Sequence, residues 1–234
     1  MGPRTRSNEA DPPVARVRRD RSDIRDLLIE SAIIEFAAHG FEGASTRSIA
    51  ERADAHQPQI NYHFASKLEL WRAAVDHLFD LLDAELAGID DIDDPGEAFA
   101  ESIRRLVHFA AANPHLNRII VQEASSSNPR TRWLTETHVR PRFEVRRAIW
   151  RQLRAEGIAA PIPDELVHHI LIGAASFAYV AGSETRLLLG TDKLDPVLVD
   201  AHAEGLVETL LPGLPSHEPP SPADPPRRRV SRRS

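Results

Sequence analysis

The chain has 234 residues, a formal net charge of −6 at pH 7 and no cysteine. Its length is enough for a small domain plus a larger one, and the missing cysteines exclude disulfides and cysteine-ligated zinc. The first 20 residues lack the apolar segment of a signal peptide. The longest apolar run, 170–181, is too short to span a bilayer, so a soluble, cytoplasmic protein is predicted.

The first predicted element is a helix over residues 23–39. Gly40 follows this helix, at the position where a left-handed C-cap is expected. Its apolar residues recur at helical spacing: Ile24, Leu27, Leu28, Ala32, Ile33, Phe36 and Ala37. This pattern is typical of the first helix of a small bundle.

Two short helices follow around a tight polar turn. Ser45 is a good N-cap for the first of them, in which Ile49, Ala50 and Ala53 face inward. After the turn at 54–55, a helix over residues 57–64 is anchored by Ile60 and Phe64 at i and i+4. The pattern indicates a helix-turn-helix.

The exposed face of the third helix suits a DNA groove. Amides can address base edges, a proline ring can touch a thymine methyl, and phenol or imidazole groups can donate to phosphate oxygens. The predicted face consists of Gln57, Pro58, Gln59, Asn61, Tyr62 and His63. The alternative is an interaction module in which INYHF is core packing.

The ordered motifs FAAHGF, STRSIAERA and INYHFASKLEL resemble the N-terminal signature of the TetR family of transcriptional repressors, over residues 23–70. The resemblance implies that Arg47 reads or flanks a base, that Gln57, Pro58 and Asn61 sit at the major groove, and that Tyr62, His63 and Lys67 hold phosphates. The complete predicted DNA-binding set is Ser45, Thr46, Arg47, Gln57, Pro58, Gln59, Asn61, Tyr62, His63 and Lys67.

Three positions depart from the family pattern. Asp54 stands where the family usually has the turn glycine, and His56 stands where it usually has a serine or threonine N-cap. Asn61 replaces a common tyrosine. The turn geometry and the base preference of this chain therefore do not follow from the family pattern.

Charge does not by itself indicate DNA binding. Residues 21–70 hold five basic side chains against eight acidic ones, whereas residues 1–20 hold five arginines against three acids. Residues 1–20 are predicted to be a disordered basic arm that follows the duplex backbone or enters the minor groove, or else remains a solvated tail.

The remainder of the chain is predicted to be helical. Helices are expected over residues 67–86, from Pro95, from Pro114, over 129–156, over 164–181 and over 196–211. Asp94, Asn128 and Asp195 are the predicted N-caps of three of them. Because Pro141 lies inside the stretch 129–156, a kink or a break is expected near residues 138–140. The fold class is all-α, with about nine helices. The predicted domains are a helix-turn-helix domain over 21–68, a helical effector-binding and dimerisation domain over 69–212, and a disordered Pro/Arg-rich tail over 213–234. The five arginines of the tail could attract DNA nonspecifically or keep it solvated.

The resemblance further implies a homodimer and an effector pocket. The predicted dimer interface is Ile170, Gly173, Ala174, Phe177, Val197, Ala201, Leu206 and Leu210, although these residues could instead be buried within one subunit. The predicted pocket residues are Phe99, Ile103, His108, Trp133, His138, Phe143, Trp150, Phe177 and Tyr179, although aromatic residues at helical spacing are commonly core.

Other chemistry is weakly indicated. Seven central arginines could meet an anionic effector, but such charges usually form a solvated face: Arg104, Arg118, Arg132, Arg140, Arg142, Arg146 and Arg147. Adjacent His168 and His169 point about 100° apart on a helix and cannot share a metal. No catalytic residues, metal or cofactor are predicted, and an enzyme is not expected.

The sequence thus predicts a one-component regulator, most simply a repressor. It would bind a palindromic double-stranded DNA operator as a homodimer and be released by a small-molecule effector, without a membrane partner. The alternative is an all-helical small-molecule carrier or sensor whose helix-turn-helix mediates protein contacts.

Overall fold

A computed structural model describes residues 21–190 and 195–215, with only the backbone of Arg21 and Ser22. These residues contain eleven α-helices and no strand, which confirms the all-α prediction with two more helices than expected. They form two compact units, divided within the fourth helix between Leu78 and Phe79. No helix among the described residues has the length and apolar character needed to cross a membrane. The predicted N-terminal arm, and the tail from residue 216 onward, lie outside the described residues.

The first unit is built on three helices and the first part of a fourth. They are α1 (Arg21–Gly43), α2 (Thr46–Arg52), α3 (Gln57–His63) and α4 (Lys67–Glu85). Gly40 has a φ of +66° and interrupts α1, at the position predicted for a left-handed cap. Leu28, Phe36, Ile49 and Ile60 are buried and form the core of this unit.

The second unit begins with the end of α4 and a short 3₁₀ turn, Ile89–Asp91. Its other helices are α5 (Pro95–Ala112), α6 (Pro114–Ala124), α7 (Pro129–Leu134), α8 (Arg140–Ala155), α9 (Val167–Val180), α10 (Gly182–Leu189) and α11 (Pro196–Leu210). Three predicted N-caps accept backbone N–H groups: Asp94 from Glu97 at 2.8 Å, Asn128 from Arg130 at 2.8 Å and Asp195 from Val197 at 2.8 Å.

The interruption near Pro141 takes the form of a π-helical segment, Thr135–Val139, between α7 and α8. The N–H of Arg140 donates to the carbonyl oxygen of Thr135, five residues earlier. Proline has no N–H to continue the ordinary ladder, so the hydrogen-bond register changes just before Pro141, which lies in the first turn of α8. The long predicted helix is therefore two helices joined by a wider turn.

Two features of the C-terminal part differ from the expectation. The helix predicted over 164–181 starts later, at Val167, and α10 is an additional helix that the sequence pattern did not predict. Gly213, predicted to begin the disordered tail, donates its N–H to the oxygen of Ile158 at 2.9 Å. A Cβ at Gly213 would lie 2.2 Å from the oxygen of Gly157, so the chain is still closely packed at this point.

Candidate nucleic-acid interface and internal cavity

The turn between α2 and α3 depends on Asp54. This residue has a φ of +49°, the left-handed region that glycine usually occupies. Aspartate tolerates this conformation better than most residues because its short polar side chain can hydrogen-bond locally. The departure from the family's turn glycine therefore leaves the turn formed.

The start of α2 is fixed by a buried acid that the sequence analysis did not single out. Glu35 on α1 is buried, and its Oε1 accepts the N–H of Ser45 at 3.0 Å. Arg52 Nη2 lies 3.7 Å from Glu35 Oε2. The Oγ of Ser45 accepts from the N–H of Ser48 at 3.3 Å, so Ser45 is the N-cap of α2, as predicted. Glu35 thereby joins α1 to both ends of α2.

Four exposed side chains form one face of α3. Successive residues of a helix are turned by about 100°, so Gln57, Pro58, Asn61 and Tyr62 occupy an arc of about 140°. Ile60 and Phe64 lie outside this arc and are buried. We define these four residues as the α3 face, which presents two amides, a proline ring and a phenol to the outside.

Gln59 and His63 lie at the edge of the α3 face and are half-buried. Oε1 of Gln59 accepts the N–H of His56 at 2.7 Å, which secures the first turn of α3. The ring of His63 stands perpendicular to that of Tyr62, at 5.1 Å between centroids. Both residues therefore have structural contacts besides their predicted DNA role.

The other predicted contacts flank this face in the sequence. Arg47 is exposed on α2, where its Nε donates to Glu51 Oε1 at 2.8 Å, and this hydrogen bond raises the pKa of Arg47. Thr46, the first residue of α2, is half-buried. Lys67 donates to the oxygen of Glu42 at 3.4 Å and lies over the Phe41 ring at 4.9 Å. Both cations retain exposed surface.

The second unit contains an internal cavity of about 70 Å³. Helices α4, α5, α6, α8 and α9 surround it. Its apolar wall includes Phe79, Leu82, Leu106, Phe109, Ile120 and Ile172, and its polar lining residues are Asn117, Arg142, Arg146 and His168. The volume corresponds to a few water molecules at most, below the size of typical small-molecule sites.

None of the nine predicted pocket residues lines this cavity. Phe99, Ile103 and Trp150 are fully packed core residues. Phe99 lies 5.5 Å from Trp150, whose Nε1 donates to the oxygen of Ile162. Phe177 is 64% exposed, and His108 is exposed with its Nε2 3.2 Å from Asp200 Oδ1.

The remaining four predicted pocket residues are spread over the second unit. His138 stacks on Phe79 at 4.2 Å, and Trp133 meets the His138 ring edge-on at 5.3 Å. Phe143 contacts His168 at 5.8 Å, beside the cavity. Tyr179 lines a separate surface recess of about 410 Å³. The predicted pocket thus does not form a single site.

Arg146 and His168 are the polar pair within the cavity. Arg146 Nη1 lies 2.8 Å from His168 Nδ1. Because a guanidinium only donates, Nδ1 accepts and the ring is neutral with its proton on Nε2. Burial and the nearby charge of Arg146 lower the pKa of His168 to about 4. Burial and Arg142 lower the pKa of Arg146 to about 10, which leaves it charged at neutral pH.

Eight of the thirteen large apolar residues that are exposed in the described part of the chain lie on or beside helices α9, α10 and α11. We define the α9–α11 apolar set as Leu166, Ile170, Phe177, Leu187, Leu188, Leu189, Val197 and Leu198. Leu187, at the end of α10, is 86% exposed. Apart from the neighbouring backbone of α9, no described atom lies within 4 Å of a Cβ placed on Gly173, so this part of α9 is open.

Six of the eight residues predicted for a dimer interface are exposed: Ile170, Gly173, Ala174, Phe177, Val197 and Ala201. Leu206 and Leu210 are instead buried within their own chain, where α11 packs on α5 and α9. Arg104 and Glu204 hold α11 to α5 by two hydrogen bonds of 2.7 and 3.1 Å. Leu206 and Leu210 therefore belong to the core of the second unit.

Hydrogen bonds through His202 join two of the helices that carry the α9–α11 apolar set. Tyr179 Oη lies 3.0 Å from His202 Nδ1, and His202 Nε2 lies 3.0 Å from the oxygen of Ala174. Since the carbonyl can only accept, Nε2 donates and Nδ1 accepts from the tyrosine. Burial raises the pKa of Tyr179 to about 12, which keeps this donor protonated. These bonds join α9 to α11.

Within residues 21–190 and 195–215, no three histidine or carboxylate side chains come together as a metal site would require. His168 and His169 are adjacent with their rings nearly perpendicular, at 5.3 Å.

Residues 28–74 match the family model described as bacterial regulatory proteins, tetR family. The HTH-type transcriptional repressor SCO4008 of Streptomyces coelicolor is 28% identical over 82% of this chain and 93% of its own length. The HTH-type transcriptional regulator RutR of Escherichia coli K12 is 22% identical, over 81% and 90%. The solved complex of AibR with isovaleryl coenzyme A and operator DNA superposes with a TM-score of 0.66 at 18% identity, over 81% and 98%.

Proposed function

We propose that the chain is a one-component repressor of the tetR family of bacterial regulatory proteins and that it binds a palindromic operator as a homodimer. An effector bound in the second unit weakens this binding. The single observation that carries the proposal is the α3 face, where Gln57, Pro58, Asn61 and Tyr62 are exposed on one side of a helix anchored by Ile60 and Phe64. The relatives named above are regulators, and no catalytic role is proposed.

The chemistry of the α3 face supports major-groove reading. The groove is about 12 Å wide and admits one helix, whose amides can pair with adenine. Gln57 and Asn61 supply those amides, and Pro58 supplies a surface for a thymine methyl. Tyr62 and the flanking cations Arg47 and Lys67 are suited to phosphate contacts.

The α9–α11 apolar set supports the dimer. Exposed apolar patches of this kind mark interaction surfaces in proteins that are otherwise polar outside. A second copy is the partner that the function requires, because two α3 faces must reach successive major grooves about 34 Å apart. Dimerisation through the α9–α11 apolar set thus serves the same operator binding as the α3 face.

The effector role is supported by the cavity between α4, α5, α6, α8 and α9, which combines an apolar wall with a few polar groups. The neighbour AibR was solved with isovaleryl coenzyme A and operator DNA, so a related fold holds both kinds of partner.

Fluorescence anisotropy with the chain's own upstream intergenic DNA tests the proposal. The full-length protein should bind in a salt-dependent way, since phosphate contacts release counterions. Arg47→Ala and Tyr62→Ala should each weaken binding by about 1–3 kcal/mol if they lose a base or phosphate contact. Arg154→Ala removes an exposed arginine of the second unit and is the matched control. Unchanged affinity of both first-unit variants would refute the assignment of the site.

A further inference from the structure

We propose that the internal cavity binds a carboxylic acid with a compact apolar tail, and that the carboxylate pairs with the guanidinium of Arg146. The inference rests on the effector role proposed above and names the chemical class of the effector. It follows from the one buried cation of the cavity that has only a neutral partner.

Arg146 is mostly buried on α8 and lines the cavity. Its described partner is Nδ1 of His168 at 2.8 Å, a neutral acceptor. In the part of the chain that the structure describes, no carboxylate forms an ion pair with Arg146. A buried charge without a counter-charge is costly, so an anion entering the cavity removes a penalty that the free protein carries.

Two acids that pair with neighbouring arginines of α8 are already engaged in charge-assisted hydrogen bonds. Asp83 accepts from Arg142 Nη2, with 2.6 Å to its Oδ2. Asp164 accepts from Arg151 at 2.6 Å and Arg147 at 2.9 Å, and these hydrogen bonds lower its pKa to about 2. These acids would have to break existing charge-assisted bonds to reach Arg146. The missing anion is therefore expected from outside the chain.

The geometry around Arg146 favours a small monoanion. Its fork of N–H groups matches a carboxylate in two parallel bonds. The buried amide of Asn117 also lines the cavity and can donate to an oxygen. Arg142 is committed to Asp83 and to the face of Phe79, at 4.7 Å. With a single unpaired cation, a dianionic phosphate would be incompletely compensated.

The rest of the wall requires an apolar group. Phe79, Leu82, Leu106 and Phe109 line the cavity with carbon, where a hydrated substituent would lose its hydrogen bonds. The present volume of about 70 Å³ holds little more than the acid group. A tail therefore enters only as wall side chains move apart, which gives the ligand a mechanical effect on the helices that surround it.

Isothermal titration calorimetry of the full-length chain without DNA tests the ligand class. The probes are butanoate, hexanoate and octanoate, with hexanamide, hexan-1-ol and inorganic phosphate as matched compounds. Hexanoate should bind at least about tenfold more tightly than hexanamide or hexanol, because only the acid pairs with the cation. Each methylene that becomes buried should raise affinity about fourfold.

Variants identify the cation. Arg146→Gln should reduce hexanoate affinity at least about tenfold and leave hexanamide affinity unchanged, whereas Arg146→Lys should retain part of the preference for the acid. Arg154→Gln, an exposed arginine on the same helix, should bind hexanoate like the parent chain. Far-UV circular dichroism verifies that each variant is folded, and the comparison of acid and amide on the parent chain needs no variant.

The inference is overturned if no acid of the series binds, if amide or phosphate binds as tightly as the acid, or if Arg146→Gln binds hexanoate normally. The operator assay is read separately. Operator binding without acid binding would support the proposed repressor function and exclude carboxylic acids as its effector class. Acid binding without any operator binding would retain the ligand class and remove the proposed function.

Discussion

His168 shows how burial sets the behaviour of a single residue. Its pKa in the folded chain is about 4, against an ordinary value of 6.5. Between these values the unfolded chain takes up a proton at this position and the folded chain does not. The free energy of unfolding therefore decreases as the pH falls from about 6.5 to about 4. Above that range the ring is neutral in both the folded and the unfolded chain, so this position has no such effect on stability.

We expect His168→Gln to reduce this loss of stability at low pH. Urea unfolding near pH 7 and near pH 5 should show a smaller decrease in the free energy of unfolding for the variant than for the parent chain. His115, whose pKa is lowered by burial and by Arg118, contributes in the same direction and keeps part of the slope. His169→Gln changes the exposed neighbour and is the control. Equal slopes in all three proteins would contradict the burial argument.

Individual residues also differ in how far the sequence could predict them. Ser45, Asp94 and Asn128 were identifiable because an N-cap is a local interaction between a side chain and the next turn. Arg146 was one of seven similar arginines, and only the helices packed around it distinguish it from a solvated one. Glu35 gave no local signal, since its partners lie ten or more residues away.

At the scale of elements, the position of α2 depends on Glu35. Glu35→Ala removes the acceptor of the Ser45 N–H and the acid nearest Arg52, so we expect a loss of about 1–3 kcal/mol in the free energy of unfolding. Glu35→Gln keeps an oxygen acceptor and should lose less. Urea unfolding followed by circular dichroism measures both, and operator affinity should fall most for the alanine variant. Parent-like stability of Glu35→Ala would show that α2 is held by apolar packing alone.

Helix boundaries could be predicted where a local residue sets them, and could not be predicted where distant contacts set them. Proline at the starts of α5, α6, α7 and α11 fixed those boundaries in the sequence. The late start of α9, and α10 as a separate helix, were not predicted. Their limits depend on contacts such as the bond from Thr185 Oγ1 to the oxygen of Ala178. The sequence pattern placed the helix end at Ala181 but assigned no helix to the residues that form α10.

At the scale of the whole molecule, the α9–α11 apolar set should set the oligomeric state. Phe177→Glu places a charge in the proposed interface and should convert the dimer to a monomer in sedimentation velocity. Val121→Glu alters an exposed apolar residue on α6, outside the apolar set, and should remain dimeric. Operator affinity should fall only for Phe177→Glu, because a monomer contacts one half-site. A dimeric Phe177→Glu protein would place the interface elsewhere.

The all-α class, the helix-turn-helix and the caps could be predicted from the sequence alone, because each follows from short-range periodicity and local hydrogen bonding. Which side chains share a cavity, and which apolar residues stay exposed, depends instead on how the helices pack against one another. Phe99 and Phe177 were both plausible pocket residues by spacing, yet one is buried and the other open. The reason is that helical spacing gives the direction of a side chain around its own axis, whereas burial depends on which other helices pack there.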